Sequence, residues 1–210
     1  MQGQVLNLPL LFIARESMDA GDERLNFKGH LETAWELTLK NIAPLIIMTL
    51  VMFVMCFLTL GVLSFVMMAG YFHSILRMLR EGREPQLKDL FSHMRLFFPL
   101  LGFAVVVFIA VLIGFSLFFL PGLAVVLSVS YCCLFMLPLM SDKNPGLMKA
   151  IKTSYSIVMQ GNMTDMVAVY IIFVGLLAIG SSVFIGFLLT QPFASVFLMS
   201  VYEEKVGVID

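Results

Sequence analysis

The chain has 210 residues, of which 60% are hydrophobic and only 13% charged, and its mean hydropathy is +0.98. These values exclude an ordinary soluble globular domain and favour an integral membrane protein. The net charge of -1 balances 13 basic against 14 acidic residues and gives no indication of a nucleic-acid partner.

Charged residues are confined to four polar segments. Between these segments lie three stretches without Asp, Glu, Lys or Arg, at 41–76, 96–141 and 166–202. One helical crossing of a bilayer takes roughly 20 residues, so each stretch is too long for one crossing and long enough for two. Each stretch also has a turn signal near its middle. The signals are Leu60-Gly61, Pro121-Gly122, and either Gly180-Ser181-Ser182 or Gly186.

The basic residues indicate the topology. If each stretch crossed once, the basic segments 77–95 and 142–165 would face opposite compartments, against the preference of cations for the cytoplasmic side. The sequence therefore predicts an all-α integral membrane protein with six transmembrane helices in three hairpins, in the cytoplasmic (inner) membrane with both termini inside. Residues 1–30 are a cytoplasmic or interfacial segment, 31–205 the transmembrane domain and 206–210 a tail.

The apolar run Val5–Ala14 precedes the first charge, Arg15, which is the reverse of the order in a secretory signal peptide. Ten residues with Pro9 among them are too few to cross a bilayer as a helix. We expect an interfacial or re-entrant segment here and no cleavable leader.

A short amphipathic helix is predicted before each hairpin, on the cytoplasmic surface. Pro85 and Pro145 each stand where the first turn of a helix tolerates proline. Apolar and small residues then recur at the spacing of one helix face. These faces are Leu31, Trp35, Thr38 and Ile42 before the first hairpin, Leu87, Leu90, Phe91 and Met94 before the second, and Leu147, Ile151, Ser154 and Val158 before the third.

Two polar segments carry a resemblance to known proteins. Arg77–Phe91 reads RMLREGREPQLKDLF, and from Pro138 the chain reads PLMSDKNPGLMKAIKTSYSIVMQGN before it re-enters the membrane. Together they resemble a group of uncharacterised bacterial multi-helix membrane proteins, related to the membrane domain fused to some glycerophosphodiester phosphodiesterases. The resemblance covers about residues 31–205 and implies a six-helix membrane domain without an assigned function. The chain has no segment long enough for the fused catalytic barrel, so phosphodiesterase activity is not implied.

Ionisable residues are missing from the centres of the apolar stretches, where intramembrane catalysis or ion coupling would need them. Asp165 at an edge is expected to complement a helix N-terminus, and His73 to lie at the cytoplasmic interface. No zinc-binding HExxH, phosphate loop or paired carboxylate occurs in the membrane. Cys56, Cys132 and Cys133 are expected to be free apolar thiols. We therefore expect no enzyme, cofactor or metal site.

Two groups of residues remain as candidates for function. Basic residues of the cytoplasmic segments could hold anionic lipid or a partner, although they also set the topology. Helix breaks at Pro138 and Pro192, with the polar pair Thr190-Gln191 next to Pro192, could line a cavity. Ordinary helix kinks would use the same residues. The first group is Arg77, Arg80, Arg83, Lys88, Arg95, Lys149 and Lys152, and the second is Pro138, Thr190, Gln191 and Pro192.

Two functions follow from these candidates. The first is a non-enzymatic membrane module that acts as scaffold or partner subunit, or organises lipid, with the bilayer and a membrane or cytoplasmic protein as partners. The alternative is a transporter or channel for a neutral or lipophilic solute. An intramembrane hydrolase has the least support, since Ser116, Ser128 and Ser130 have no basic residue in the adjoining sequence. The sequence does not indicate the oligomeric state.

Overall fold

The computed structural model describes residues 25–160, 162–182 and 184–207. These residues form α-helices, two short 3-10 helices and their connections, with no strand among them. The predicted all-helical class is therefore confirmed, while the run Val5–Ala14 lies outside the described residues. The α-helices are α1 Phe27–Lys40, α2 Ile42–Leu58, α3 Ser64–Glu81, α4 Phe97–Leu117, α5 Phe119–Cys132, α6 Met136–Asp142, α7 Leu147–Gln160, α8 Met163–Ser181 and α9 Phe184–Gly207, and the 3-10 helices are Leu87–Phe91 and Met94–Leu96.

Several helical runs are long and apolar enough to cross a membrane. In the described part of the chain these are Leu87–Ser116, Phe119–Asp142 and Met163–Ser181. A fourth candidate arises if α1 and α2, which meet at 87°, are taken together as one broken span. The described residues are therefore all-helical, with three candidate membrane spans by length and composition, or four if the bent pair is one span.

Two helices, α3 and α9, form the centre of the protein. Residues 194–202 of α9 are all buried, as are residues 69–72 and 74–76 of α3. A helix that is buried on every side belongs to the core. Because these two helices face other protein segments, they can carry polar side chains such as Ser74 and Ser200 that a lipid-facing helix could not carry cheaply.

Helices α4 and α5 differ from α3 and α9 because most of their residues are exposed or only partly buried. Among their described side chains only Leu100, Gly114 and Gly122 are buried, and residues such as Val106 and Phe119 are about two-thirds exposed. An apolar surface of this extent is unfavourable in water and is matched by acyl chains. These helices therefore form part of the lipid-facing surface.

The first turn signal is where the sequence predicts it. Helices α2 and α3 are joined by residues 59–63, and both Leu60 and Gly61 have positive φ angles, of 50° and 81°. Glycine adopts this region without a steric cost, which explains the tight reversal at this point. The backbone amide of Gly61 also donates to the carbonyl of Cys56, at 2.7 Å, and closes the end of α2.

The second turn was predicted at Pro121-Gly122, and this prediction is wrong. The helices are separated by Phe118 alone, whose backbone is extended, and Pro121 and Gly122 lie in the first turn of α5. Proline suits the first turn of a helix because its missing N–H has no helical partner there. A Cβ atom at position 122 would lie 2.5–2.7 Å from ring atoms of Phe115, so glycine lets this ring pack against the start of α5.

The third connection matches the first of its two candidate signals. Helix α8 ends at Ser181 and α9 begins at Phe184, so the connection lies next to Ser181-Ser182. Gly186 lies inside α9, where it packs against the backbone of Gly180. The small residues at both positions let α8 and α9 approach closely beside the turn.

A break in the second apolar stretch is filled by a side chain from α7. Residues 133–135 interrupt the helix between α5 and α6, and Pro138 follows in α6, where its ring would clash with the carbonyl of an unbroken helix. The Ser154 hydroxyl donates to the carbonyl of Cys132, at 2.8 Å, and accepts from the amide of Phe135, at 3.2 Å. Ser154 therefore satisfies backbone groups that the break releases.

The three segments with predicted amphipathic faces agree with the prediction to different degrees. Helix α7 turns the expected side inward, with Ser154 and Val158 fully buried. In α1 the buried residues include His30 and Ala34, whereas Trp35 is 61% exposed. The segment from Leu87 is a 3-10 helix, so the 3.6-residue repeat assumed for it does not hold. Of its predicted face only Leu90 is buried, while Leu87, Phe91 and Met94 are exposed.

Candidate functional site in a polar layer at the charged ends of the helices

Four hydrogen-bonded groups connect the charged ends of the helices, and we call them together the polar layer. The first is centred on Arg80 near the end of α3. Its guanidinium donates two bonds to Asp142, at 2.6 and 2.9 Å, and its Nε donates to Glu203 at 2.8 Å. The Tyr202 hydroxyl donates to the same Asp142 carboxylate, at 3.0 Å. Arg80 thus joins α3 to α6 and α9.

The charge state of Arg80 follows from these contacts. Burial disfavours the charged guanidinium, but the hydrogen bonds and charges of Asp142 and Glu203 outweigh it and raise the pKa of Arg80 above its ordinary value. The cation is therefore permanently present, and its charge is already compensated by two carboxylates.

The second group is centred on Asp89, in the first 3-10 helix. This carboxylate is buried, forms an ion pair with Arg83 and accepts from the Ser74 hydroxyl at 3.0 Å. The backbone amide of Gln86 in turn donates to Ser74, at 3.3 Å. This group holds the segment after α3 against α3 itself.

In the third group two histidines share one acceptor. His73 Nδ1 and His93 Nε2 lie 3.2 and 3.1 Å from the carbonyl oxygen of Ser141, and their ring centroids are 4.7 Å apart. Since a carbonyl can only accept, both of these nitrogens carry hydrogen. The hydroxyl of Ser92 lies 2.7 Å from the other nitrogen of His93.

The fourth group contains a serine, a histidine and a glutamate. His30 of α1 lies 2.7 Å from the Ser200 hydroxyl and 2.6 Å from the Glu204 carboxylate, both on α9. These are the residue types of a hydrolytic triad. However, His30 and Ser200 are completely buried, so a substrate has no access to the hydroxyl. We assign the group to the packing of α1 against α9.

Asp165 lies in the first turn of α8, as expected for a carboxylate that complements a helix N-terminus. It is 94% buried and accepts from the backbone amide of Leu25, at 3.2 Å. The chain just before α1 is thereby attached to the start of α8, a contact that the sequence did not indicate.

The seven candidate basic residues fall into two classes. Arg80 and Arg83 form ion pairs within the protein. The other five, all exposed, form no ion pair with any described residue. They are Arg77, Lys88, Arg95, Lys149 and Lys152.

The four candidate cavity residues have separate contacts in the structure. Gln191 is buried and its amide donates to the sulfur of Met68 at 3.5 Å, while Thr190 donates to the carbonyl of Gly186. Pro138 and Pro192 are both buried. None of these four residues lines either of the two cavities described next.

Both cavities are apolar and are lined in part by α4. One, of about 310 Å³, is formed by α3, α4, α5 and α6, and the other, of about 450 Å³, by the α2–α3 turn and α4. Phe65 and Val107 line both of them. Apart from Ser130, the side chains of the smaller cavity are apolar or thiol, which suits a hydrocarbon chain and no polar ligand.

Within the described residues, no cluster of three His, Cys, Asp or Glu side chains could hold a metal ion, and the three cysteines are free. Comparison of the chain with models of protein families, with curated proteins and with solved structures gives no match. The family resemblance noted in the sequence therefore stays a prediction.

Proposed function

We propose that the chain is a non-enzymatic membrane module with six transmembrane helices in three hairpins, at 41–76, 96–141 and 166–202, and with both termini in the cytoplasm. It acts as a scaffold or partner subunit, or organises lipid, through the outward surfaces of the polar segments 77–95 and 142–165. Two observations support the topology. The short connections at Leu60-Gly61, Phe118 and Ser182 carry no charge, and the charged residues are gathered at the opposite ends of the helices.

The function is supported above all by the outward side of α7. Lys149 and Lys152 are exposed there and form no ion pair with a described residue, and Met148 and Tyr155 beside them are 68% and 52% exposed. Cations next to large apolar side chains suit the boundary between headgroups and acyl chains. The same side chains also suit a protein partner whose surface is both acidic and apolar. The molecule that copurifies with the chain distinguishes a lipid from a protein partner.

This proposal predicts which molecules accompany the purified protein. In mild detergent we expect the chain to carry anionic phospholipid or a second protein, detected by native mass spectrometry. Each cation near a charged leaflet contributes about 1 kcal/mol, so the double variant Lys149→Gln/Lys152→Gln should weaken this association roughly 30-fold.

The matched control is Lys28→Gln/Lys40→Gln, which removes the same charge from α1. Lys28 forms only an exposed ion pair with Glu32, so the control should fold normally and keep its bound lipid or protein. A wild-type chain that emerges alone, monomeric and free of lipid contradicts the proposal, and so does equal retention in the wild type and the α7 variant.

Transport of a neutral or lipophilic solute is the second candidate function. It rests on the helix break at residues 133–135 and on the adjoining apolar cavity of about 310 Å³. The polar pair Thr190 and Gln191, predicted as possible cavity lining, is hydrogen-bonded to Gly186 and Met68. The first function therefore has the stronger support.

A further inference from the structure

The two histidines that share the Ser141 carbonyl bring together two segments that each carry an arginine. His73 belongs to α3 and His93 immediately precedes the second 3-10 helix, so their common acceptor on α6 joins three elements. Arg77 follows His73 by four residues on α3, a spacing that places both side chains on one helix face. Arg95 follows His93 by two residues. The charges of Arg77 and Arg95 both act on His93.

Positive charge is left uncompensated at this point. Arg77 and Arg95 are exposed and form no ion pair with a described residue. The nearby carboxylate of Asp89 already has Arg83 and Ser74 as partners. An anion that contacts both side chains would be attracted by two cations on adjoining elements, which lowers its electrostatic energy.

Exposed large apolar side chains flank Arg95 along the chain. Met94 next to Arg95 is 39% exposed, and Phe98 at the start of α4 is 79% exposed. The chain then continues into the lipid-facing surface of α4. A ligand at this point therefore meets cations on one side and hydrocarbon on the other, which is the environment of a phospholipid headgroup.

We propose that Arg77 and Arg95 form a binding site for the phosphate of an anionic phospholipid, and that His73 and His93 are its positioning residues. A guanidinium binds phosphate through two parallel N–H bonds, and two such groups can donate together to the two charged, non-ester oxygens of a phosphodiester. The apolar rim accepts the first part of the acyl chains. The site rests on the proposed function and names the lipid class for one of its two polar segments.

The test measures the melting temperature of the full chain in mild detergent while phosphatidylglycerol is added. Phosphatidylcholine and inorganic phosphate at equal concentration are the comparison arms. We expect phosphatidylglycerol to stabilise the wild type more than either comparison ligand. In Arg77→Gln/Arg95→Gln the half-saturating concentration of phosphatidylglycerol should rise roughly 30-fold, because two cations near the leaflet are removed.

The matched control is Lys28→Gln/Lys40→Gln, which removes equal charge from α1 and should keep the response to phosphatidylglycerol. Equal losses in the two variants would show a diffuse charge effect and overturn the site. An unchanged response in the arginine variant also overturns it. So would an inorganic-phosphate response equal to that of the lipid, since the apolar rim would then contribute nothing.

A second variant covers the case in which the glutamine variant does not fold. Arg77→Lys/Arg95→Lys keeps both charges but cannot form the paired N–H bonds, so the lipid response should weaken while the fold is kept. An unchanged response in this variant contradicts the proposal. Failure of the arginine site alone does not contradict the proposed function. That function is tested by the α7 lysine variant and by the lipid or protein that copurifies with the wild type.

Discussion

The substitution Gly70→Ala is expected to lower the free energy of unfolding by about 2–3 kcal/mol, near the upper end of the range for overpacking a core. Gly70 is buried in α3 and faces the backbone of the first 3-10 helix. An added Cβ atom would lie 2.5 Å from the carbonyl oxygen of Asp89 and 2.7 Å from the carbonyl carbon of Leu90. Real Cβ atoms do not approach this closely, so the segment would have to move away from α3.

This movement would also separate Asp89 from Ser74, a pair whose oxygens are 3.0 Å apart. Chemical unfolding in detergent micelles measures the loss. The matched control is Gly175→Ala in α8, where nothing lies within 4 Å of the added atom. Alanine is favoured over glycine in a helix by about 1 kcal/mol, so the control should be as stable as the wild type or more stable. If both variants are equally stable, α3 does not pack on this segment.

The second large effect is expected from Asp142→Asn, which leaves Arg80 with one carboxylate partner. Removing one member of a buried ion pair costs about 3–5 kcal/mol, and because Arg80 is 42% exposed we expect a smaller loss of about 2 kcal/mol. The Tyr202 hydroxyl loses its charged acceptor in the same variant. For a chain of this length the melting temperature should fall by roughly 4–8 °C.

Two further variants test the origin of this loss. The substitution Glu84→Gln removes an exposed carboxylate that pairs with no described residue, and it should leave the melting temperature unchanged. In the double variant Arg80→Gln/Asp142→Asn the losses should be less than additive, since the two side chains share one interaction. Strict additivity would contradict the direct pairing of Arg80 with Asp142.

Much of the helical arrangement could be predicted because it depends on local composition. The apolar stretches, the turn at Leu60-Gly61 and the inward side of α7 all follow from the pattern along a single segment. The second turn was misplaced because Pro121-Gly122 has two uses, a turn or the first turn of a helix. Only the packing of Gly122 against Phe115, a contact across the connection, decides between them.

The polar layer could not be predicted, because its partners are far apart in the sequence. Asp142 is 62 residues from Arg80, and Ser200 is 170 residues from His30. A single sequence shows which residues are ionisable but not which of them meet. For this reason Arg80 and Arg83 were grouped with the other basic residues, although their charges are compensated inside the protein. No pattern in the sequence singles out His93. Only its contact with the Ser141 carbonyl shows that it belongs to the polar layer.

The central claim, that every apolar stretch returns to the side from which it started, is tested most directly by cysteine labelling in intact cells. In a chain whose three native cysteines are replaced by alanine, one cysteine is placed at Lys143 and, in a second variant, at Leu60, which is 92% exposed in the first turn. With a membrane-impermeant thiol reagent, the account predicts labelling at position 60 and none at 143 until the cells are opened. Labelling at position 143 from outside would contradict it.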